Sequence, residues 1–109
     1  MDKAEVRRAF ARAVNMTAKE LERWLETEES RRVGFFRDGQ TESIGHASGR
    51  RILRILETPA AELSDSDDAH MRKVVGYVRR HGAQQPANIY TSRWRYSLMN
   101  WGHDPLKEE

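Results

Sequence analysis

The chain has 109 residues, a formal net charge of +2 at neutral pH and no cysteine. A chain of this length has room for one domain around one modest hydrophobic core. The lack of cysteine excludes a disulfide framework and thiolate metal sites, and no apolar run approaches the roughly 18 residues of a membrane span. We therefore expect a single cytoplasmic domain over residues 1–109, without a cofactor and without membrane contact.

Charge is strongly segregated along the chain, which the small net charge conceals. Successive segments alternate in sign: 1–19 (+3), 20–29 (−4), 31–56 (+4), 57–68 (−5), 69–103 (+6) and 104–109 (−2). The segment 69–103 contains no aspartate or glutamate. A basic segment of this kind is typical of a surface that meets a polyanion, whereas alternating blocks are also typical of intramolecular salt bridges on a solvated surface.

Two helices are predicted near the start of the chain. Apolar residues at helical spacing indicate a first helix from about Asp2 to Val14, within residues 1–15. Thr17 to Glu20 then form a capping box, in which the threonine hydroxyl accepts from the glutamate amide and the carboxylate reaches back. We expect this box to open a second helix that ends near Glu28.

An irregular segment is predicted between the second and third helices. Residues 31–40 include an Asp-Gly turn signal, and we expect Phe35 or Phe36 to plug the core from this loop. A short two-stranded hairpin is the alternative conformation for the segment. The third helix should span about Ser43 to Leu56 and end before Pro59, because the residue before a proline avoids the helical region.

Two further helices are predicted in the second half of the chain. Ser64 and the aspartates that follow it should cap a fourth helix that runs to His81, because carboxylates stabilise the positive end of the helix dipole. The fifth helix should begin at position 91 or 92 and end at position 100 or 101. The chain is thus predicted to be a compact all-α domain of about five short helices, with little or no β-sheet.

The fourth helix separates an apolar face from a basic face when its residues are projected at about 100° per residue. Its core face comprises Met71, Val74, Val75 and Val78. Its opposite face comprises Arg72, Lys73, Arg79 and Arg80, with the small residues Ala69 and Gly76 among them. A glycine in this position permits either the close approach of a polyanion or a tight crossing with another helix, and both interpretations stay open.

Arginines are also predicted on the outer faces of the two neighbouring helices. They are Arg50, Arg51 and Arg54 on the third helix, beside His46, and Arg93 and Arg95 on the fifth. With the four cations of the fourth helix they make nine candidate nucleic-acid-binding residues. These side chains form one continuous patch if the three faces are coplanar.

The basic faces predict a non-enzymatic, sequence-tolerant DNA-binding protein. Arginine contacts phosphate oxygens bidentately, and each neutralised phosphate releases counterions, which gives affinity without sequence reading. We expect double-stranded DNA as the partner, and a nucleoid-associated location would follow from it. The alternative is a protein-interaction module, or a homodimer, that uses the surface of the fourth and fifth helices.

A metal-dependent nuclease is the most distant alternative. Asp65, Asp67, Asp68 and His70 form the only compact cluster of metal-ligating residue types in the sequence. The same aspartates are what a helix N-terminus favours electrostatically, so capping is the preferred interpretation. Because the sequence contains no phosphate-binding glycine loop, no nucleophile elbow and no convincing acid–base pair, we predict no catalytic residue and no metal site.

Resemblance to a known family rests on four segments: MTAKELERWL (16–25), ESIGHASGRRILRIL (42–56), HMRKVVGYVRRH (70–81) and WRYSLMNWGHDPLK (94–107). Together they resemble the family catalogued as domain of unknown function 3140, whose members are small proteins, mainly of actinobacteria. The resemblance covers about residues 16–107 and implies no particular catalytic or binding residue. Some members are labelled DNA-binding, so the resemblance adds to the expectation of DNA binding.

Overall fold

Six α-helices and no strand make up residues 1–107, which are the residues that the computed structural model describes. The helices are α1 (Lys3–Ala13), α2 (Ala18–Leu25), α3 (Glu28–Arg32), α4 (Ile44–Leu56), α5 (Asp65–Gly82) and α6 (Arg93–Asn100), with a short 3₁₀ helix (Ala60–Glu62) between α4 and α5. The all-α prediction is therefore confirmed. No helix in this range is both long enough and apolar enough to cross a membrane.

Every α-helix begins at a side-chain N-cap. The six caps are Asp2, Thr17, Thr27, Ser43, Ser64 and Ser92, and each accepts a hydrogen bond from an amide of the first turn. The capping boxes opened by Thr17 and Ser64 are both complete, since the Glu20 and Asp67 carboxylates accept hydrogen bonds from the backbone amides of these two cap residues. Because such a cap contributes about 1 kcal/mol, these residues fix where the helices start.

The short helix α3 is absent from the sequence-based prediction, which ended the second helix near Glu28. Helix α2 stops at Leu25, and Thr27 caps a new helix by accepting from the amide of Ser30 at 3.1 Å. Five residues are too few to display an apolar periodicity, so the pattern of the sequence could not reveal this helix.

The core lies between two helix pairs and is closed by the last helix. Helix α1 packs along α5, and α2 packs against α4, while α6 contacts α2, α3, α4 and α5. Side chains from all of these longer helices are fully or almost fully buried, among them Val6, Leu21, Ile52, Met71, Val74 and Leu98. Helix α6 therefore completes a core to which both halves of the chain contribute.

The segment between α3 and α4 does not supply the aromatic plug that we expected. Phe35 is 69% exposed and Phe36 is 36% exposed, whereas Val33, at the end of α3, is buried. The chain then turns at Gly34, whose φ of +103° is unfavourable for other residues, and the Ile44 amide donates to the Phe35 carbonyl at 2.9 Å. The expectation of a buried phenylalanine was wrong, because the turn at Gly34 leaves both rings in the exposed segment that follows it.

Asn100 links three helices through its buried side chain. Its amide nitrogen donates to the Ser30 carbonyl at 2.9 Å, and its amide oxygen accepts from the Trp24 indole at 2.8 Å and from the Ser30 hydroxyl. At the same residue, α6 passes so close to α4 that a Cβ on Gly49 would lie 2.6 Å from the Asn100 carbonyl oxygen. These contacts fix α6 against α2, α3 and α4.

Candidate nucleic-acid interface

Helix α5 presents the two faces that its sequence predicts. Met71, Val74 and Val75 are buried and Val78 is half-buried, while all four predicted cations are exposed: Arg72, Lys73, Arg79 and Arg80. The helix is held from both sides, by α1 along its length and by α6. Its outer surface is therefore a rigid basic face, which we call the α5 basic face.

Among residues 1–107 no other helix contacts α5 at the position of a Gly76 Cβ. A Cβ built on Gly76 would meet only the guanidinium of Arg80, with the nearest nitrogen at 2.9 Å. Of the two interpretations of this glycine, a tight helix crossing is therefore not realised within residues 1–107. The glycine lies on the open side of the helix, where the arginine four residues later folds across it.

The cations of the α5 basic face have no carboxylate partner within the described residues. No ion pair there includes Arg72, Lys73, Arg79 or Arg80. Arg72 donates one long hydrogen bond, of 3.4 Å, to the backbone carbonyl of Met1. These charges are consequently available to an external anion.

The three aspartates of the acidic block 57–68 pair with cations of α1 and α4 and not with those of the α5 basic face. Asp65 pairs with Lys3 at 3.2 Å, Asp68 with Arg7 at 2.8 Å, and Asp67 with Arg51 at 3.2 Å. Hydrogen bonding to Arg7 is the main cause that lowers the pKa of Asp68. These aspartates therefore hold the start of α5 against its neighbours, and the rest of the helix carries no acidic residue.

Two arginines of α1 extend the basic face, and the sequence-based prediction did not include them. Arg8 and Arg12 line an open groove between α1 and α5 together with Arg79, and Glu5 is the carboxylate in the same groove. Both arginines are exposed. The charge of +3 on residues 1–19 was a signal for them, but only the packing of α1 along α5 reveals that they adjoin Arg79.

The three arginines predicted on the third helix, now α4, differ in their surroundings. Arg50 holds Glu42 through two hydrogen bonds, and this contact is the main cause that lowers the pKa of Glu42 to about 2. Arg51 is half-buried and bonds to Ser66 at 2.7 Å as well as to Asp67. Arg54 is exposed and pairs with no carboxylate in the described part of the chain.

His46 was expected on the outer face of α4 and is instead buried. Its Nδ1 contacts Glu42, and its Nε2 lies 2.8 Å from the Leu25 carbonyl oxygen. The expectation was wrong because α2 covers this side of α4, which no helical projection of one segment can reveal.

The two arginines of α6 point to different surroundings. Arg95 is half-buried, forms a bidentate ion pair with Asp104 at 3.1 Å and donates to the Tyr90 carbonyl at 2.9 Å. Arg93 is exposed and lines a shallow depression beside α3, with Val33 and Tyr96. Arg95 thus stabilises the C-terminal segment, and Arg93 lies apart from the α5 basic face.

The nine predicted residues therefore fall into two groups. Arg50, Arg51 and Arg95 pair with carboxylates of the chain itself. Arg54, Arg72, Lys73, Arg79, Arg80 and Arg93 are exposed and have no such partner within residues 1–107. The four predicted cations of α5 lie together on one face, which Arg8 and Arg12 of α1 extend. The other five predicted residues are not part of this face.

The acidic cluster considered for a metal site is divided among different partners. Asp65 and Asp68 contact α1, Asp67 completes the capping box, and His70 contacts Ser48 of α4. Within residues 1–107 no group of three or more aspartate, glutamate or histidine side chains is arranged to hold a metal ion.

His70 makes folding stability depend on pH. Burial is the main cause that lowers the pKa of His70 from its usual 6.5 to about 4, and the charges of Arg51 and Lys73 add to it. Between these two pH values the unfolded chain binds a proton that the folded chain excludes, so stability is complete above pH 6.5 and falls as pH drops toward 4. With allowance for partial exposure, we expect wild type to lose about 1 kcal/mol more than His70→Gln between about pH 7 and 5.

Urea unfolding of both proteins at the two pH values measures this difference directly. The glutamine keeps a hydrogen-bonding group near Ser48, which lies 2.9 Å from the His70 Nε2 atom. Equal losses of stability in the two proteins would show that His70 is not a source of the pH dependence.

Comparison with known proteins assigns the chain to a family. No curated protein and no solved structure gives a significant match. A family model described as "Protein of unknown function (DUF3140)" matches residues 9–99, which include α2 to α5, the C-terminal part of α1 and nearly all of α6. The match confirms the resemblance seen in the sequence, and the chain belongs to this family of proteins of unknown function.

Proposed function

We propose that this protein is a non-enzymatic DNA-binding protein that contacts the phosphate backbone of double-stranded DNA without sequence preference. The observation that supports the proposal is the α5 basic face, on which four exposed cations lack a carboxylate partner within the described residues. A protein of this kind would reside in the cytoplasm and associate with the nucleoid.

The spacing of the cations suits a phosphate backbone. Arg72 and Arg79, like Lys73 and Arg80, are seven residues apart, which corresponds to about 10 Å along an α-helix. The same length equals the rise of about three base pairs, along which each strand carries regularly spaced phosphates. A straight helix with cations at this interval can therefore contact several phosphates at once.

The distribution of the acidic side chains also favours this proposal. The aspartates in the first turn of α5 are engaged by Lys3, Arg7 and Arg51, which belong to α1 and α4. Arg8 and Arg12 enlarge the basic surface across the α1–α5 groove. A surface that is basic on one side and acidic elsewhere orients a protein on a polyanion, because like charges are repelled from it.

A salt titration of binding to a short DNA duplex tests the proposal. We expect the affinity to fall steeply between about 50 and 200 mM salt, since each phosphate contact contributes about −0.9 to the slope of log K against log[salt]. The double variant Arg72→Ala/Arg79→Ala should weaken binding and reduce the magnitude of the slope by about 2. Fluorescence anisotropy of a labelled duplex gives both quantities.

The matched control is Lys19→Ala/Arg23→Ala, which removes the same charge from exposed positions of α2. It should leave both the affinity and the slope close to those of wild type. An absence of binding at about 50 mM salt, or an equal loss in the control and the α5 variant, would refute a DNA contact through the α5 basic face.

A further inference from the structure

A cleft of about 430 Å³ lies between α4 and α5 and is distinct from the outer surface of α5. Three cations line it: Arg37 from the loop after α3, Arg51 from α4 and Lys73 from α5. Its volume is within the range of sites that hold small organic ligands. None of the functions discussed above uses this cleft, although Lys73 borders both surfaces.

The charge of the cleft is positive because its one acidic side chain is already neutralised. Both carboxylate oxygens of Glu42 are engaged, one by the Arg50 guanidinium and the other by that guanidinium and by His46. Arg37 and Lys73, in contrast, have no carboxylate partner within residues 1–107. Two cations are therefore available in the cleft to an incoming anion.

An apolar cavity of about 240 Å³ adjoins the cleft and shares Ile44 and Trp101 with it. Phe35 and Tyr77 contribute to its wall, and Phe35 keeps 69% of its surface exposed. The Trp101 indole N–H has no hydrogen-bond acceptor among the described residues, although the ring itself is stacked on Tyr77 at 4.3 Å. The cavity wall thus offers a ligand the exposed ring of Phe35 and the indole N–H of Trp101.

The two halves together match one class of ligand. A planar ring joined to a multiply charged anion would place the ring against Phe35 and the anion between Arg37 and Lys73. Aromatic side chains next to cations are the combination with which proteins hold single nucleotides, since every base has a π-face and every nucleotide has a phosphate. From this arrangement we propose that the α4–α5 cleft binds a nucleoside monophosphate unit.

Such a unit has two sources, a free nucleotide or an unpaired nucleotide of a nucleic acid. The site shares only Lys73 with the α5 basic face, and its other contacts are the ring of Phe35 and the inner side of the α4–α5 cleft. The double variant Arg72→Ala/Arg79→Ala should accordingly bind adenosine monophosphate as wild type does. This comparison separates a failure of the present inference from a failure of duplex binding.

Titration of the ¹⁵N-labelled protein with adenosine monophosphate, adenosine and inorganic phosphate tests the site. The indole N–H signal of Trp101 should shift with the monophosphate at concentrations below about 1 mM, and the two fragments should bind at least about tenfold more weakly. Phe35→Ala and Arg37→Ala should each weaken binding by about tenfold or more. Both positions are exposed, so the fold should tolerate these changes.

The control variants are Tyr90→Ala and Arg23→Ala, which remove an exposed aromatic ring and an exposed cation outside the cleft. They should bind the monophosphate as tightly as wild type. The inference is overturned if the Trp101 signal does not respond to about 5 mM monophosphate, if phosphate alone binds equally well, or if Phe35→Ala has no effect.

A single-stranded oligothymidylate distinguishes the two sources. If both the monophosphate and the oligothymidylate shift the Trp101 signal and Phe35→Ala abolishes both shifts, the cleft also accepts nucleotides of a polymer. If only the monophosphate produces the shift, the ligand is a free nucleotide. Either result supports a nucleotide site, whereas a response to neither compound contradicts it.

Discussion

Asn100→Ala is expected to lower the free energy of unfolding by about 3 kcal/mol. The Asn100 side chain is only 1% exposed and makes hydrogen bonds to Trp24, to the Ser30 hydroxyl and to the Ser30 carbonyl. Alanine lacks the amide group that makes all three hydrogen bonds, so the hydroxyl and carbonyl groups of Ser30 would stay buried without these partners. Leaving a buried donor or acceptor unpaired costs more than an average hydrogen bond contributes.

Urea unfolding followed by circular dichroism measures this loss as a lower transition midpoint at an unchanged m-value. Asn88→Ala is the matched control, because it removes the same side chain from an exposed loop, and its stability should stay within about 0.5 kcal/mol of wild type. If Asn100→Ala were as stable as this control, the buried hydrogen-bond network around α6 would contribute nothing.

The second large effect is expected for Gly49→Ala, which should cost about 2 kcal/mol. An added Cβ would lie 2.6 Å from both the Asn100 carbonyl oxygen and a methyl group of Leu25. The first of these is backbone and cannot rotate away, so α6 would have to move from α4. Alanine is the better helix former by about 1 kcal/mol, but that gain is smaller than the expected packing penalty.

Gly76→Ala is the matched control, since it makes the same substitution within a helix. Its Cβ would meet only the flexible end of Arg80, which can swing toward solvent. We expect this variant to gain roughly 0.5–1 kcal/mol, the helix-forming advantage of alanine over glycine. Thermal unfolding should therefore move the two midpoints in opposite directions, and two shifts of the same sign would contradict the assigned contacts.

Local features of the sequence were sufficient to predict most of the helical starts and the two faces of α5. The caps Thr17 and Ser64 act within three residues, and the faces of one helix follow from its period alone. The end of α2 could not be predicted in this way, because Thr27 opens α3 only two residues after Leu25. Where one helix ends and another begins within two residues, the boundary cannot be located from the sequence pattern.

The sequence predicted which basic side chains of α5 are exposed, but not which of the nine predicted cations form ion pairs with carboxylates. Projection correctly placed Arg72 and Arg79 in solvent, yet it gave no means of knowing that Arg95 is held by Asp104. The proximity of Arg12 to Arg79 likewise depends on the packing of α1 along α5. Contacts between distant segments decide which charges are free, and a helical projection contains no information about them.

The position of α6 in the chain has a consequence for biosynthesis. The helix that contacts α2, α3, α4 and α5 comprises residues 93–100, and beyond it the Asn15 amide donates to the Asp104 carbonyl at 2.9 Å. Earlier segments emerging from a ribosome therefore lack the surface on which their apolar side chains are to be buried. We expect the nascent chain to complete its fold only after about residue 104 has emerged, which exposes apolar side chains of the earlier helices to chaperones before then.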